Sequence, residues 1–191
     1  MKNIFFVIAI GAITLSACNS SSNNKPRQSN KMNDSSKESS VQKVSALTSP
    51  VNGLLQIYLQ MKNAFVNDDD KGAAKAGNEM LKALNDFDKS SLKEEERKSF
   101  EDISDDAKEH AEHIGMNAGN IKHQREHFDM LSKDMYDLVK KFAAGEKIYV
   151  DYCPMYNDNK GATWLSETKE IKNPYLGKEM DTCGTVKEEL N

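Results

Sequence analysis

The stretch NIKHQREHFDMLSKDMYDLVKKF, residues 120–142, decides the fold class. Ile121, Gln124, Phe128, Leu131, Met135, Leu138 and Phe142 recur at the three- and four-residue steps that gather side chains on one face of an α-helix. The positions between them are charged or polar, so the segment reads as an amphipathic helix with a heptad-like seam. The preceding GMNAGN, residues 115–120, is a turn by its Gly and Asn content. Before it, Phe100, Ile103, Ala107, His110 and Ile114 keep the same period on a helix that restarts within DKSSLKEEERKSFEDI, residues 88–103. An earlier helix carries Ala73, Ala76, Met80, Leu84 and Phe87 after the acidic NDDDK, residues 67–71. The first has Leu54, Tyr58, Met61 and Phe65 on one face, with Ser49 as expected N-cap and Pro50 where a missing N–H costs nothing. Four amphipathic helices joined by short polar links predict an all-α domain, an antiparallel four-helix bundle.

Past Gly145, expected to stop the fourth helix, the texture changes. KIYVDYCPM (147–155) is β-branched and aromatic, NDNKGATWLS (157–166) holds turn residues, and KNPYLGKEMDTCG (172–184) is rich in Pro and Gly. This predicts a C-terminal irregular tail with one or two short strands, packed back on the bundle and anchored by Trp164 and Tyr175.

The opposite end of the chain sets the compartment. Lys2 precedes an apolar run from Ile4 to Leu15, and LSAC, residues 15–18, places small residues directly before Cys18. The run is shorter than the ~20 residues a spanning helix needs. The pattern predicts a lipoprotein signal peptide over residues 1–17 and lipidation of Cys18. The expected chain is held in the cell envelope by its lipid, faces the periplasm, and sits at the outer membrane in preference to the inner. Residues 18–46 are Ser, Asn and Lys with almost nothing apolar, too little to offset the entropy of ordering. They form a tether with a root-mean-square span of about 30 Å. Residues 47–191 remain for one helical-bundle domain. A formal charge of −4, with no basic cluster in that domain, argues against a nucleic-acid partner.

Two constellations carry chemistry. The chain's 4 histidines lie at 110, 113, 123 and 127, around the turn between the third and fourth helices. Spacings of three and four put each pair on one helical face, within reach of a shared ion. The second constellation is sulfur. Cys153 and Met155 flank Pro154, and Met180 and Cys183 recur within one turn. Thiolate and thioether are soft donors suited to Cu(I), whereas imidazole also suits Zn²⁺ and Cu²⁺. The spacing is not the CxxC pair of a zinc ribbon. With Cys18 acylated, two thiols remain in an oxidising compartment, where a Cys153–Cys183 disulfide is the plain alternative.

Residues 110–142 followed by 149–186 closely resemble a bacterial domain of unknown function found in extracytoplasmic lipoproteins. A similar domain is appended to the adaptor subunits of heavy-metal efflux pumps. The resemblance rests on His113, on His123, Gln124, Arg125, His127 and Phe128, on Cys153-Pro154-Met155, and on the block Gly161 to Ser166. It continues through Asn173-Pro174-Tyr175 and the stretch from Met180 to Gly184. It implies a helical domain linked to copper or related metal handling, here without the adaptor's other domains.

Together these readings predict a tethered metal-binding protein for copper, or zinc, that buffers the ion or delivers it to a metal-efflux component. The candidate ligands are His113, His123, His127, Cys153, Met155, Met180 and Cys183, not all on one ion. The alternative is a protein-interaction module whose tail is clamped by the disulfide. Enzyme activity is not expected. The chain has no nucleophile elbow, no phosphate-binding glycine loop, no CxxC and no HExxH; HQREH, residues 123–127, shares only the i,i+4 histidines with that zinc motif. Arg125 is expected to be structural, paired with a carboxylate such as Glu126 or Glu109, or with the tail.

Overall fold

The computed structural model describes residues 49–191. The signal peptide, Cys18 and the tether of residues 18–46 lie outside the described residues. Four helices come first: α1 Asn52–Val66, α2 Asp70–Asn85, α3 Glu94–Met116 and α4 Ile121–Phe142. Consecutive helices pack side by side, and α4 also touches α1 and α2. Three strands follow, β1 Ile148–Cys153, β2 Ala162–Ser166 and β3 Thr185–Leu190, in one antiparallel sheet of order β2-β1-β3. Among the described residues no helix is long and apolar enough to cross a membrane.

The chain is mostly helical with a short β tail, as expected, but the tail is an ordered sheet of three strands in place of an irregular segment with one or two. β3 is the strand the pattern hid. Its TVKEEL alternates exposed and half-buried positions down to a buried Leu190, as an edge strand with one solvated face does.

Two helix boundaries also differ from expectation. α1 starts at Asn52 with Val51 at its cap position, and Ser49, two residues earlier, accepts from the Val51 N–H at 3.3 Å. The same Ser49 hydroxyl donates to the carbonyl of Ala143 at 2.6 Å, satisfying the far end of α4. That helix ends at Phe142, before Gly145, because Ala143 itself turns to φ 62°.

One core joins helices and sheet. Phe128 of α4 stacks on Tyr58 at 5.1 Å and packs against Phe65 at 4.9 Å. The Tyr58 hydroxyl lies 2.7 Å from Ser132 Oγ and accepts from the Leu165 N–H at 3.1 Å, bridging α1, α4 and β2. Trp164 and Tyr175, the expected anchors, are both buried and meet edge to face at 5.9 Å. Asn173 is fully buried; its carboxamide oxygen accepts from the N–H groups of Tyr175 and Leu176, and its amide donates to the Cys183 carbonyl at 2.7 Å. The Asn-Pro-Tyr motif is thus a turn that locks the tail. Arg125 completes the lock: its Nε donates to the Pro174 carbonyl at 2.7 Å, and its Nη2 to the Phe65 carbonyl and to Asp68 Oδ1 at 2.6 Å. It pairs with Asp68 and with the tail, not with Glu126 or Glu109. Gly177, at φ +55°, lies against both partners of that clamp, where a Cβ would come within 2.0 Å of Asp68 Oδ1.

Lys62, Asp129 and Asp151 are the lysine and carboxylate side chains buried among the described residues. Lys62 is 2% exposed and donates to Glu167 Oε2 at 2.7 Å, tying α1 to the end of β2. Asp151, in the central strand opposite Trp164, is fully buried, and neither carboxylate oxygen has a hydrogen-bond partner. Burial pushes its carboxyl up to about 6, against the pull of nearby Lys62.

Candidate metal centre at the α3–α4 corner

The corner is fixed by backbone chemistry before any histidine enters. Gly77 and Gly115 let α2 and α3 approach closely; a Cβ on Gly77 would sit 2.8 Å from the Ala111 carbonyl and from the Gly115 nitrogen. Asn120 caps α4 by accepting from the His123 N–H at 3.3 Å. Asn117 donates to the His113 carbonyl at 2.8 Å, and the Gly119 N–H donates to Asp70 Oδ2 at 2.6 Å. Gln124, fully buried, donates to the carbonyls of Ile114 and Asp70, both at 3.0 Å. The last turn of α3 and the first turns of α4 are thereby held against the start of α2.

On that frame the imidazoles converge. His123 and His127 share one face of α4, and His113 reaches them from α3. One ligand nitrogen from each lies within 4.8 Å of the others. The rings of His113 and His127 stack at 4.1 Å with planes 7° apart, and His123 meets His127 edge-on at 4.7 Å. A tetrahedral ion with metal–nitrogen bonds of about 2.0–2.1 Å holds its nitrogens about 3.3 Å apart, so the nitrogens need to close by up to about 1.5 Å, with the stacked His113 and His127 rings turning toward a common point. Rotation about the side-chain torsions supplies a movement of that size. The donor set of three imidazoles with a fourth position left for another ligand is one that suits Zn²⁺ or Cu²⁺.

The electrostatics favour a neutral ring at His127 and at His110. Burial, followed by the charges His113, His123 and His110 would carry, holds His127 down at about 4. Burial also lowers His110, against Glu109 and Asp106. An imidazole already neutral at physiological pH offers its lone pair without first losing a proton. His110 itself was expected on the apolar seam. The fully buried position is its neighbour Ala111, and His110 turns to α4, its Nδ1 3.3 Å from His127 Nδ1. On its other side, His110 Nε2 lies 4.0 Å from Asp134 Oδ2. Burial, with Asp106 and Asp137 nearby, pushes the Asp134 carboxyl up to about 7. The sequence reading did not include Asp134; its signal is the two-turn spacing from His127 on the same helix.

The sulfur candidates are elsewhere. Among the described residues, the grouping of potential ligands is made of His113, His123 and His127 alone. Cys153, at the end of β1, and Cys183, in the segment before β3, meet each other instead, with sulfurs 3.1 Å apart and both thiols free. The hydrogen bond with Cys153, then burial, pushes the Cys183 thiol up to about 11. Met155 and Met180 are 50% and 40% exposed. The tail does run back along α4, with Tyr136 and Lys140 both bonded to Glu188 of β3, but it brings the thiols to each other and not into the histidine cluster.

The family described as "protein of unknown function (DUF3347)" matches residues 54–147, from within α1 to the residue before β1. The matched segment contains all four helical histidines and stops short of the sulfur residues. No curated protein and no solved structure matches the chain.

Proposed function

We propose that this chain is a lipid-anchored, periplasm-facing metal-binding protein that holds one borderline divalent ion, copper or zinc, between His113, His123 and His127. The observation that carries the reading is the convergence of three imidazole nitrogens within 4.8 Å at a braced helix corner. Copper is the preferred ion, since Cu²⁺ outranks Zn²⁺ at a given nitrogen site. An antiparallel four-helix bundle supports the corner, and the reading is one of binding, not of catalysis. Cys18 would join the protein to a bilayer, and the role in view is buffering, or delivery to a component of a heavy-metal efflux system. No nucleic-acid partner is proposed. The test is titration of the reduced chain with Cu²⁺ and Zn²⁺, beside single alanine variants of the three histidines and a C153S C183S double variant. Uptake that falls in each histidine variant and persists in the cysteine variant supports the reading; uptake indifferent to all three histidines overturns it.

A second reading is favoured by the 3.1 Å approach of Cys153 to Cys183. Disulfide formation needs about 2.05 Å and a modest rotation of two side chains. Here the tail is stapled, metal is irrelevant and the surface engages a protein. The sulfurs would instead form a Cu(I) site, with Met155 and Met180 at hand, if the purified chain kept both thiols reduced and took up Cu(I) in a cysteine-dependent way.

A further inference from the structure

Resting on the reading of His127 as a ligand, we infer that Asp134 and His110 are positioning residues that fix its tautomer, so that the proton sits on Nδ1 and the Nε2 lone pair faces the ion. Asp134 Oδ2 is buried and has no hydrogen-bond partner, an acceptor awaiting a donor. His110 Nε2 lies 4.0 Å from it. A movement of ~1 Å, or one bridging water, turns that gap into a hydrogen bond. A neutral imidazole carries one N–H. With that hydrogen on Nε2 toward Asp134, His110 Nδ1 is an acceptor, and it lies 3.3 Å from His127 Nδ1. His127 must then donate from Nδ1, which leaves Nε2 unprotonated. The opposite assignment puts a hydrogen on His127 Nε2 and faces its Nδ1 with the His110 N–H, so that neither nitrogen can take an ion.

Metal-bound histidines characteristically give their second N–H to a fixed acceptor, and loss of such a partner costs about 10- to 100-fold in metal affinity. In this chain the acceptor is a second imidazole, oriented in turn by a carboxylate. The relay spans both helices: His110 comes from α3, while His127 and Asp134 come from α4, two turns apart.

The experiment uses ¹⁵N-labelled protein, metal-free and then loaded with Zn²⁺, at about pH 8.5, where neutral imidazoles predominate and the Asp134 carboxyl, raised to about 7, is ionised. Long-range nitrogen–proton correlations report which His127 nitrogen carries the proton. The expected result is a protonated Nδ1 before and after Zn²⁺. In Asp134→Ala the metal-free ring becomes a mixture of tautomers and Zn²⁺ affinity falls about 10- to 100-fold. His110→Ala behaves likewise, whereas His110→Asn, whose amide oxygen takes the place of Nδ1 as acceptor, restores both readouts and makes Asp134→Ala silent in its background. If Asp134→Ala does not fold, the contrast between His110→Ala and His110→Asn decides alone. A proton on Nε2 of metal-free wild type, or a tautomer and affinity unmoved by both alanine variants, overturns the inference. Absence of any Zn²⁺ uptake overturns the metal reading instead, while the metal-free spectrum still reports on the relay.

Discussion

Asp151 offers a test of the interior that needs no ligand. Its carboxylate is fully buried at the centre of the sheet with both oxygens unpartnered, and its carboxyl is raised from 3.8 to about 6. The folded state therefore binds a proton that the unfolded chain has already released between those two values. Stability contributed by the neutral acid is complete below the unfolded value, falls as pH rises from about 4 to about 6, and is gone above that. A difference of about two pH units at about 1.4 kcal/mol per unit sets the size at about 3 kcal/mol. Asp151→Asn keeps the shape of the neutral acid and cannot ionise. Urea unfolding of the two proteins side by side at about pH 4 and about pH 7.5 reads the effect directly, since the other titrating groups cancel in the difference. The variant is expected to match wild type at the acidic end and to exceed it by up to about 3 kcal/mol at the neutral end. Stability curves that stay parallel across that range, or an Asn variant weaker at neutral pH, would refute the reasoning.

His127 has the opposite sign: its folded value is lowered to about 4, so the unfolded chain takes up a proton first and stability falls with pH from the ordinary histidine range down to that value. Comparing acid unfolding of wild type with His127→Gln should show a smaller loss in the variant. Because the His127 ring is already neutral at about pH 5.5, calorimetry of Zn²⁺ binding there in two buffers should find its removal costing affinity without reducing the number of protons released. Oxidation of Cys153 to Cys183 closes a loop of 30 residues, and the oxidised protein should gain roughly 3–4 kcal/mol over C153S C183S in chemical denaturation; equal midpoints would mean the staple constrains nothing. Gly177→Ala forces a left-handed alanine into the Arg125–Asp68 clamp, and hydrogen exchange should quicken around Asn173–Leu176 while the α2–α3 pair is unaffected.

The helices were legible because each carries its own period. Phe100, Phe128, Leu131 and Met135 are buried as their three- and four-residue spacing requires. The sheet was only half legible. β1 is β-branched and aromatic, but β3 is mostly polar, and its pairing with β1 depends on a return of the chain that no local pattern encodes. Ser49 shows a similar limit: a serine before a helical period has the local signature of an N-cap and does accept from the Val51 N–H, yet its hydroxyl also donates to a carbonyl 94 residues away, which no local pattern encodes. At the candidate site the helical spacings paired His110 with His113 on one helix and His123 with His127 on the next, without saying which of the four meet. What spacing could not convey was that the sulfurs pair with each other in the tail, or that His110 turns aside from the core to meet His127. The first depends on the return of the tail to β1 and the second on how α3 faces α4, both properties of packing.

The attachment of Ser49 to the end of α4 has a consequence for how such a domain can be used. Leu190 pairs with Ile148, so the last strand finishes beside the same end of α4 to which Ser49 is bonded. His123 lies at the other end of that helix, about 28 Å away at 1.5 Å per residue. Entry and exit of the folded segment are thus neighbours, with the imidazole corner pointing away from both. A unit with that geometry can be spliced into a loop, or added to the end of an unrelated polypeptide, without strand or helix having to open, and wherever it is grafted its histidines face outward from the host.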